Sequence, residues 1–353
     1  MERWAAGVAW SLLILVIALL CWLLVLRLYR KWREPRRQAK MTHFQDVLMQ
    51  VALGHLAPTP LPGLDQADRW ELLKLWLHVQ LSLRGAAQER LRQFGLACQL
   101  QRSAWTHLRS PHHAKRMIAC LTLGFLKWTD AQDLLRQRLS QGQSHTPIYA
   151  ARALLDIDAQ LHASEVLEAL LQKPALDFSL LAVLLKPHRA ILQQVMLRYK
   201  PSELGEALDH GDASAARLVR WLRLARALQL QLPSAWLAPL LNERQELESL
   251  IAAIRLFQGE AGIDPILGLA QHPDWRVRSQ VARSLAYVGD ERCADVLVGM
   301  TTDREWWVRF RSAQALFQLP GVSVDSILER VARTGDRYAI QMVQSVQASE
   351  GGA

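Results

Sequence analysis

The chain opens with a long, uninterrupted apolar segment. Residues 4–26 contain no charged side chain, and Ser11 is their most polar member. A helix of this length is about 35 Å long, which is enough to cross a bilayer. A cleaved secretory signal would be shorter and would end at small residues, whereas basic residues follow directly here. The pattern predicts an N-terminal transmembrane anchor over 1–26. The alternative, a buried core helix, would need partners on every face.

The flanks of this segment predict its orientation. Residues 27–40 hold seven bases and one acid, whereas only Glu2 and Arg3 precede the apolar run. Because cytoplasmic flanks carry the excess of Lys and Arg, we expect the N-terminus outside and the remainder in the cytoplasm, as in a single-pass protein of a bacterial inner membrane. The basic stretch also predicts contact with anionic lipid headgroups. The expected membrane-interface residues are Trp4, Trp22, Arg27, Arg30, Lys31, Arg33, Arg36 and Arg37; for the two tryptophans, ordinary packing is the alternative.

Beyond the basic stretch, apolar residues recur at helical spacing, and the alternation typical of strands is nearly absent. A short amphipathic helix over 41–56 and a proline-rich spacer over 57–63 complete a juxtamembrane segment, 27–63. Asp65 or Asp68 is expected to cap a helix that runs to Leu83.

Many short helices separated by Gly and Pro are predicted over 64–347. One of them follows Gly85 and ends near Leu108. Such a series is typical of stacked antiparallel pairs, about six to eight in number. Residues 348–353 are expected to form a disordered tail.

A repeat with an offset of 31 residues lies near the C-terminus. The segment Trp275–Leu285 reads WRVRSQVARSL and aligns with Trp306–Leu316, WWVRFRSAQAL. Residues three or four apart form one apolar stripe in each copy, and a single helical pair cannot bury such a stripe alone. The two stripes are Val277, Val281, Leu285 and Val288, and Val308, Ser312, Leu316 and Leu319; Ala282 and Ala313 would let neighbouring helices approach closely.

These copies resemble HEAT repeats of the bacterial, lyase-associated type. The resemblance is clear over 263–319 and implies helical hairpins in which Val-Arg opens the second helix. His272 departs from it, because the pattern favours an acid there, and a further copy around 336–343 lacks Val-Arg, as a terminal cap could. The predicted fold is therefore all-α: an N-terminal transmembrane helix followed by an α-solenoid of HEAT-like helical hairpins. The motifs that carry the resemblance are His272-Pro273-Asp274-Trp275-Arg276-Val277-Arg278 and Asp303-Arg304-Glu305-Trp306-Trp307-Val308-Arg309.

The net charge of +9 belongs mainly to the membrane boundary. Residues 27–40 carry +6 of it, and residues 41–353 carry only +3. Because phosphate-backbone binding normally needs a strongly basic surface, no nucleic acid is expected as a partner. The four cysteines form no CxxC motif, which is typical of a reducing cytoplasm.

No catalytic signature is present: the chain has no phosphate-binding loop of the GxxxxGK[ST] type, no GxSxG, no HExxH and no GxGxxG. We predict no catalytic residue, cofactor or metal. His107, His112 and His113 form the densest histidine group. They are interpreted as polar turn residues, since zinc generally needs further ligands at defined spacing.

The predicted partner-binding residues are Arg276, Arg283, Trp307 and Arg311, because Trp and Arg dominate binding hot spots. The resemblance gives Arg278 and Arg309 a structural role, in which they pair with turn acids such as Asp274 or Asp303. Core positions are expected for Trp70, Trp76, Trp105, Trp128, Trp221 and Trp236, and a solvated face, with lipid or partner binding left open, for Arg217, Arg220, Arg223 and Arg226.

The function predicted from these features is a membrane-tethered HEAT-repeat scaffold, not an enzyme, that binds protein partners at the cytoplasmic face. One alternative is a regulatory subunit of a membrane-embedded enzyme or signalling complex that contacts it through the anchor, although the anchor lacks GxxxG. Another, implied by the resemblance, is a lyase or DNA glycosylase; the low charge and the anchor argue against it.

Overall fold

A computed structural model of the chain describes most of the sequence. The described residues form α-helices and short 3-10 segments, with no strand among them, which confirms the all-α prediction. The described residues are 15, 17–22, 24, 27, 38–141, 145–173, 175–198, 212–242, 245–257, 263–287 and 291–350.

The predicted anchor lies mostly outside the described residues. Within it and its flank, residues 15, 17–22, 24 and 27 are described, and all are helical and exposed. No helix in the described part of the chain is long and apolar enough to cross a membrane. Most of the basic stretch and residues 351–353 of the predicted tail also lie outside the described ranges.

Internal contacts divide the chain into two compact units. The first comprises residues 1–138 and 149–157, and the second comprises residues 139–148 and 158–353. In the first unit, residues 38–53 are helical, followed by α1 Gln66–Ser82, α2 Ala86–Ala97, α3 Leu100–Leu108 and α4 His113–Phe125. A 3-10 turn, Thr129–Ala131, leads to α5 Gln132–Gln141 and then α6 Thr146–Ile157; the end of α5 and the start of α6 belong to the second unit.

The start of α1 follows the prediction, because the Asp65 carboxylate caps it by accepting the Asp68 N–H at 2.6 Å. The single helix expected between Gly85 and Leu108 is wrong. Gln99 has a φ of 56°, in the left-handed region, and the chain breaks there into α2 and α3. The helical spacing of apolar residues continues across this break and does not reveal it.

The first unit is closely packed. Trp76 is fully buried, and its ring N–H donates to the Leu91 carbonyl at 2.7 Å. A Cβ on Gly124 of α4 would lie 2.7 Å from the Ala153 Cα of α6, so only glycine allows this approach. Of the six tryptophans expected in the core, Trp76 and Trp221 are fully buried, and the half-buried ones are Trp70, Trp105, Trp128 and Trp236.

The second unit is a series of helical pairs. Its helices are α7 Ala159–Gln172, α8 Phe178–Leu185, α9 Arg189–Met196, α10 Asp212–Ala227, α11 Ser234–Leu237, α12 Leu247–Leu256, α13 Ile263–Gly268, α14 Trp275–Leu285, α15 Glu291–Met300, α16 Trp306–Gln318, α17 Val324–Ala332 and α18 Arg337–Glu350, with 3-10 turns at Lys186–His188, Ala238–Leu240 and Leu269–Gln271.

Near the C-terminus these pairs form two layers. The second helices of the pairs, α12, α14, α16 and α18, pack each against the next, and α10 packs on α12. The shorter first helices α15 and α17 contact each other on one side of this row. This is the stacking of helical hairpins that the 31-residue repeat predicts.

The apolar stripes lie inside this stack, as predicted. Each buried Val or Leu contributes about 1.5–3 kcal/mol relative to exposure. Ala282 and Ala313 are also fully buried between neighbouring helices. The buried members are Val277, Val281, Leu285, Val308, Ser312, Leu316 and Leu319, and Val288 lies outside the described residues.

Candidate functional site

The turns that join the two helices of each C-terminal pair repeat one hydrogen bond at intervals of 31 residues. His272 Nδ1 accepts the Asp274 N–H at 3.0 Å, and Asp303 Oδ1 accepts the Glu305 N–H at 2.8 Å. In the third copy, Thr334 Oγ1 accepts the Asp336 N–H at 3.3 Å. The third copy therefore keeps the register. His272 can replace an acid there because an imidazole nitrogen is also an acceptor.

Arg278 joins two successive turns. Its guanidinium forms a bidentate pair with Asp303, with N–O distances of 2.7 and 2.9 Å, and donates to the His272 and Pro273 carbonyls at 2.8 and 3.0 Å. Burial opposes ionisation of Asp303, yet the Arg278 guanidinium and the Glu305 N–H hold the pKa of this carboxyl below its ordinary value. The structural role expected for Arg278 is confirmed.

Arg309 repeats only half of this arrangement. It donates to the Asp303 and Arg304 carbonyls at 2.8 and 3.1 Å. Its expected ion pair with a turn acid is absent among the described residues, because Thr334 occupies the position that Asp303 has in the preceding copy. The prediction of a turn-acid partner is therefore wrong for Arg309.

Two of the four predicted partner-binding residues line one cleft. Arg283 of α14 and Arg311 of α16 face an opening of about 210 Å³ together with Tyr287, Gln314 and Gln318. Tyr287 is 70% exposed at the rim. The cleft therefore combines two guanidinium groups, a phenol and side-chain amides, all of which donate hydrogen bonds.

The other two predicted residues lie in different surroundings. Arg276 forms a pair with Asp274, two residues before it, at 2.7 Å. Trp307 belongs to an aromatic cluster with Trp306 and Phe310: the Trp306 ring stacks on Phe310 with a centroid distance of 5.0 Å, and Trp307 meets Trp306 edge-on at 4.8 Å. Arg276 is therefore partnered within its own turn, whereas Trp307 is part of an exposed aromatic patch.

Four consecutive second helices each contribute one arginine to a series: Arg226 on α10, Arg255 on α12, Arg283 on α14 and Arg311 on α16. We call these four the arginine row. Partial burial lowers the pKa of Arg255, and the nearby charges of Arg226, Arg283 and Arg223 lower it further. The packing agrees with this proximity: α10 packs on α12, Arg255 of α12 reaches Gln280 Oε1 of α14 at 2.9 Å, and Arg283 and Arg311 line the same cleft.

Sequence reasoning did not single out Arg255, which connects the two ends of the row. A signal was available, because Arg255, Arg283 and Arg311 follow each other at intervals of 28 residues. The basic series on α10 divides: Arg217 and Arg220 are half-buried, and Arg220 donates to the Leu171 carbonyl at 2.6 Å, whereas Arg223 and Arg226 are exposed. Only these last two lie on the solvated face expected for the series.

The interpretation of the histidine group as turn residues is wrong for His107, which lies in α3. His107 packs against the Trp70 ring at 4.1 Å between centroids, and burial, with the Lys115 charge, lowers the pKa of this histidine. Among the described residues, no three His, Cys, Asp or Glu side chains are grouped so that they could hold a metal ion.

The predicted membrane-interface residues are largely untested by the structure. Trp22 and Arg27 are helical and exposed. The remaining ones, Trp4, Arg30, Lys31, Arg33, Arg36 and Arg37, lie outside the described residues.

Comparison with known families identifies the C-terminal part. Residues 244–346 match the family of HEAT repeats, which covers α12 to most of α18. No curated protein matches the chain. The 31-residue periodicity therefore lies within a region that matches HEAT repeats, and the stacked helical pairs of this region agree with the match.

Proposed function

We propose that this chain is a membrane-tethered scaffold that binds a protein partner, at the cytoplasmic face, through the second helices of its HEAT repeats. HEAT repeats generally mediate protein–protein interactions, because stacked hairpins present an extended surface. The observation that carries the proposal is the exposed face of α10 to α16. There, the arginine row and the cleft stand beside the exposed aromatic patch.

The composition of this face favours protein binding. Trp306 and Trp307 are 47% and 50% exposed, and Arg311 lies over the Phe310 ring at 5.8 Å. Trp, Tyr and Arg are enriched at the centres of interfaces, since they combine a large apolar area with directional donors. Exposed aromatic side chains beside guanidinium groups therefore support a protein partner.

The same face offers little for catalysis. The side chains that line the cleft are those of Arg, Tyr, Gln and Ala, none of which is a good general base at neutral pH. HEAT-repeat proteins are generally scaffolds without enzymatic activity. These observations support binding over the lyase and glycosylase alternatives.

Membrane tethering rests on the apolar segment. A helix that is apolar on all faces is stable either in a protein core or in a bilayer. Leu15, Ile17, Leu19, Leu20, Trp22 and Leu24 are all exposed, which argues against the core. The seven bases of 27–40 then favour a cytoplasmic location for the repeats.

Site-specific photo-cross-linking in living cells tests the proposed binding face. A cross-linking amino acid in place of Gln314, in the cleft, should give a discrete adduct with one protein. The same amino acid in place of Asp325, exposed on the first helix α17, is the control and should give none. The same adducts from both positions, or none from either, would refute the proposal.

A further inference from the structure

The length of the arginine row matches that of a short extended peptide. Packed helices lie about 8–10 Å apart, so four successive second helices place their arginines along roughly 25–30 Å. An extended polypeptide advances about 3.3 Å per residue, and the row therefore matches about eight residues of extended chain. A single small anion would contact only one or two of the four arginines.

Among the described residues, no carboxylate pairs with an arginine of the row. Carboxylates at the starts of α12 and α14 pair with other arginines: Glu248 with Arg223 and Asp274 with Arg276, both at 2.7 Å. Within the described chain, neither Arg226 nor Arg283 has a hydrogen-bond or ion-pair partner for its side chain.

Side-chain amides take the place of carboxylates at the other two arginines. Arg255 donates to Gln280 Oε1 and Arg311 donates to Gln314 Oε1, both at 2.9 Å. These amides orient the guanidinium groups without cancelling their charge. The four arginines therefore keep their charge available to an external ligand.

We propose that the arginine row binds an acidic segment of the partner polypeptide, in which successive Asp or Glu carboxylates pair with Arg226, Arg255, Arg283 and Arg311. This deepens the proposed function and rests on it. The repeated spacing favours a chain of carboxylates over one phosphate group. The net charge of only +3 over residues 41–353 disfavours a nucleic acid, whose phosphates attract a broadly basic surface. Guanidinium groups stay charged at all physiological pH values, so the carboxylates of the ligand alone set the pH dependence of binding.

Fluorescence anisotropy with the full-length chain in detergent tests this inference. The probe is fluorescein-labelled octaglutamate, with octaglutamine as the uncharged control. Arg283→Gln should weaken octaglutamate binding about fivefold, since an exposed charge pair contributes up to about 1 kcal/mol. The matched control Arg304→Gln removes an exposed arginine outside the row and should leave binding unchanged. Raising the salt concentration should weaken binding.

The outcomes separate this inference from the proposed function. Weak or absent octaglutamate binding, or equal binding by the Arg283→Gln protein, overturns the acidic-segment proposal. So does Arg283-dependent binding to phosphatidylglycerol vesicles or inorganic phosphate without binding to octaglutamate. A discrete adduct from the Gln314 position together with any of these results would retain the scaffold and reject only the acidic ligand.

Discussion

At the scale of single residues, one helix holds two arginines with opposite roles. Arg278 is 5% exposed and makes four hydrogen bonds to the turns of two successive repeats. Arg283, little more than one turn later, is exposed and unpaired within the described part of the chain. Burial and partners, and not residue type, separate an arginine that holds repeats together from one that is available to a ligand.

The same substitution should therefore have different effects at the two positions. Arg278→Gln leaves the half-buried Asp303 carboxylate without its counterion and should lower the free energy of unfolding by about 3 kcal/mol. Arg283→Gln removes a charge close to Arg255 and should leave stability unchanged or raise it by a few tenths of a kcal/mol. Urea unfolding followed by circular dichroism measures both. Equal losses would contradict the assignment of roles.

The Arg278–Asp303 pair also predicts a pH dependence. Because the folded state holds the pKa of Asp303 below its ordinary value of 3.8, its stabilising contribution is complete above about pH 4. It is lost as pH falls through the folded pKa. The stability difference between the natural protein and Asp303→Asn should thus be constant near neutrality and shrink in acid. With Asp325→Asn, which changes an exposed carboxylate, the difference should stay small throughout. An Asp303 stability difference that does not shrink as the pH falls below 3.8 would show the prediction to be wrong.

At the scale of elements, the turns between paired helices use one geometry with three different side chains. His272, Asp303 and Thr334 each accept the N–H two residues further on. The position requires an acceptor of suitable reach, and a negative charge is not essential to it: Asp303 pairs with Arg278, whereas Thr334 is uncharged although Arg309 of the preceding repeat corresponds to Arg278. This is why the departure at His272 leaves the repeat intact.

Substitution of His272 tests this interpretation. His272→Asn supplies a side-chain oxygen in place of Nδ1 and should change stability little. His272→Leu introduces an apolar side chain of similar size without an acceptor, and it should cost about 1 kcal/mol, as the loss of a cap does. Thermal unfolding of the two variants measures this difference. Equal unfolding temperatures of His272→Asn and His272→Leu would mean that the hydrogen bond does not contribute to stability.

At the scale of the whole molecule, the chain combines an apolar, charge-free N-terminal segment with a repeat domain of nearly balanced charge. We expect deletion of residues 1–26 to move the protein from the membrane fraction to the supernatant, with its helical circular dichroism preserved. Replacement of residues 4–26 by an unrelated apolar span should restore membrane association. Failure of this replacement to restore cross-linking from Gln314 would favour the alternative in which the anchor itself contacts a membrane-embedded partner.

Part of the candidate site could be predicted from the sequence. Arg283, Trp307 and Arg311 were identified by residue type and position on the second helices, and all three lie on the exposed face. Arg276 was chosen on the same grounds, but its pair with Asp274 depends on the conformation of the turn. Arg255 was missed because its proximity to Arg283 arises only when α12 packs on α14.

The sequence by itself determined the helical class, the buried stripes and the 31-residue repeat, because these follow from local periodicity and from the need to bury an apolar face. Tertiary structure alone decided the break at Gln99, the different roles of Arg278 and Arg283 on α14, and the continuity of the arginine row. The physical reason is the same in each case. Periodicity states which face of a helix is buried, whereas backbone conformation and the register between neighbouring helices determine which charged groups meet.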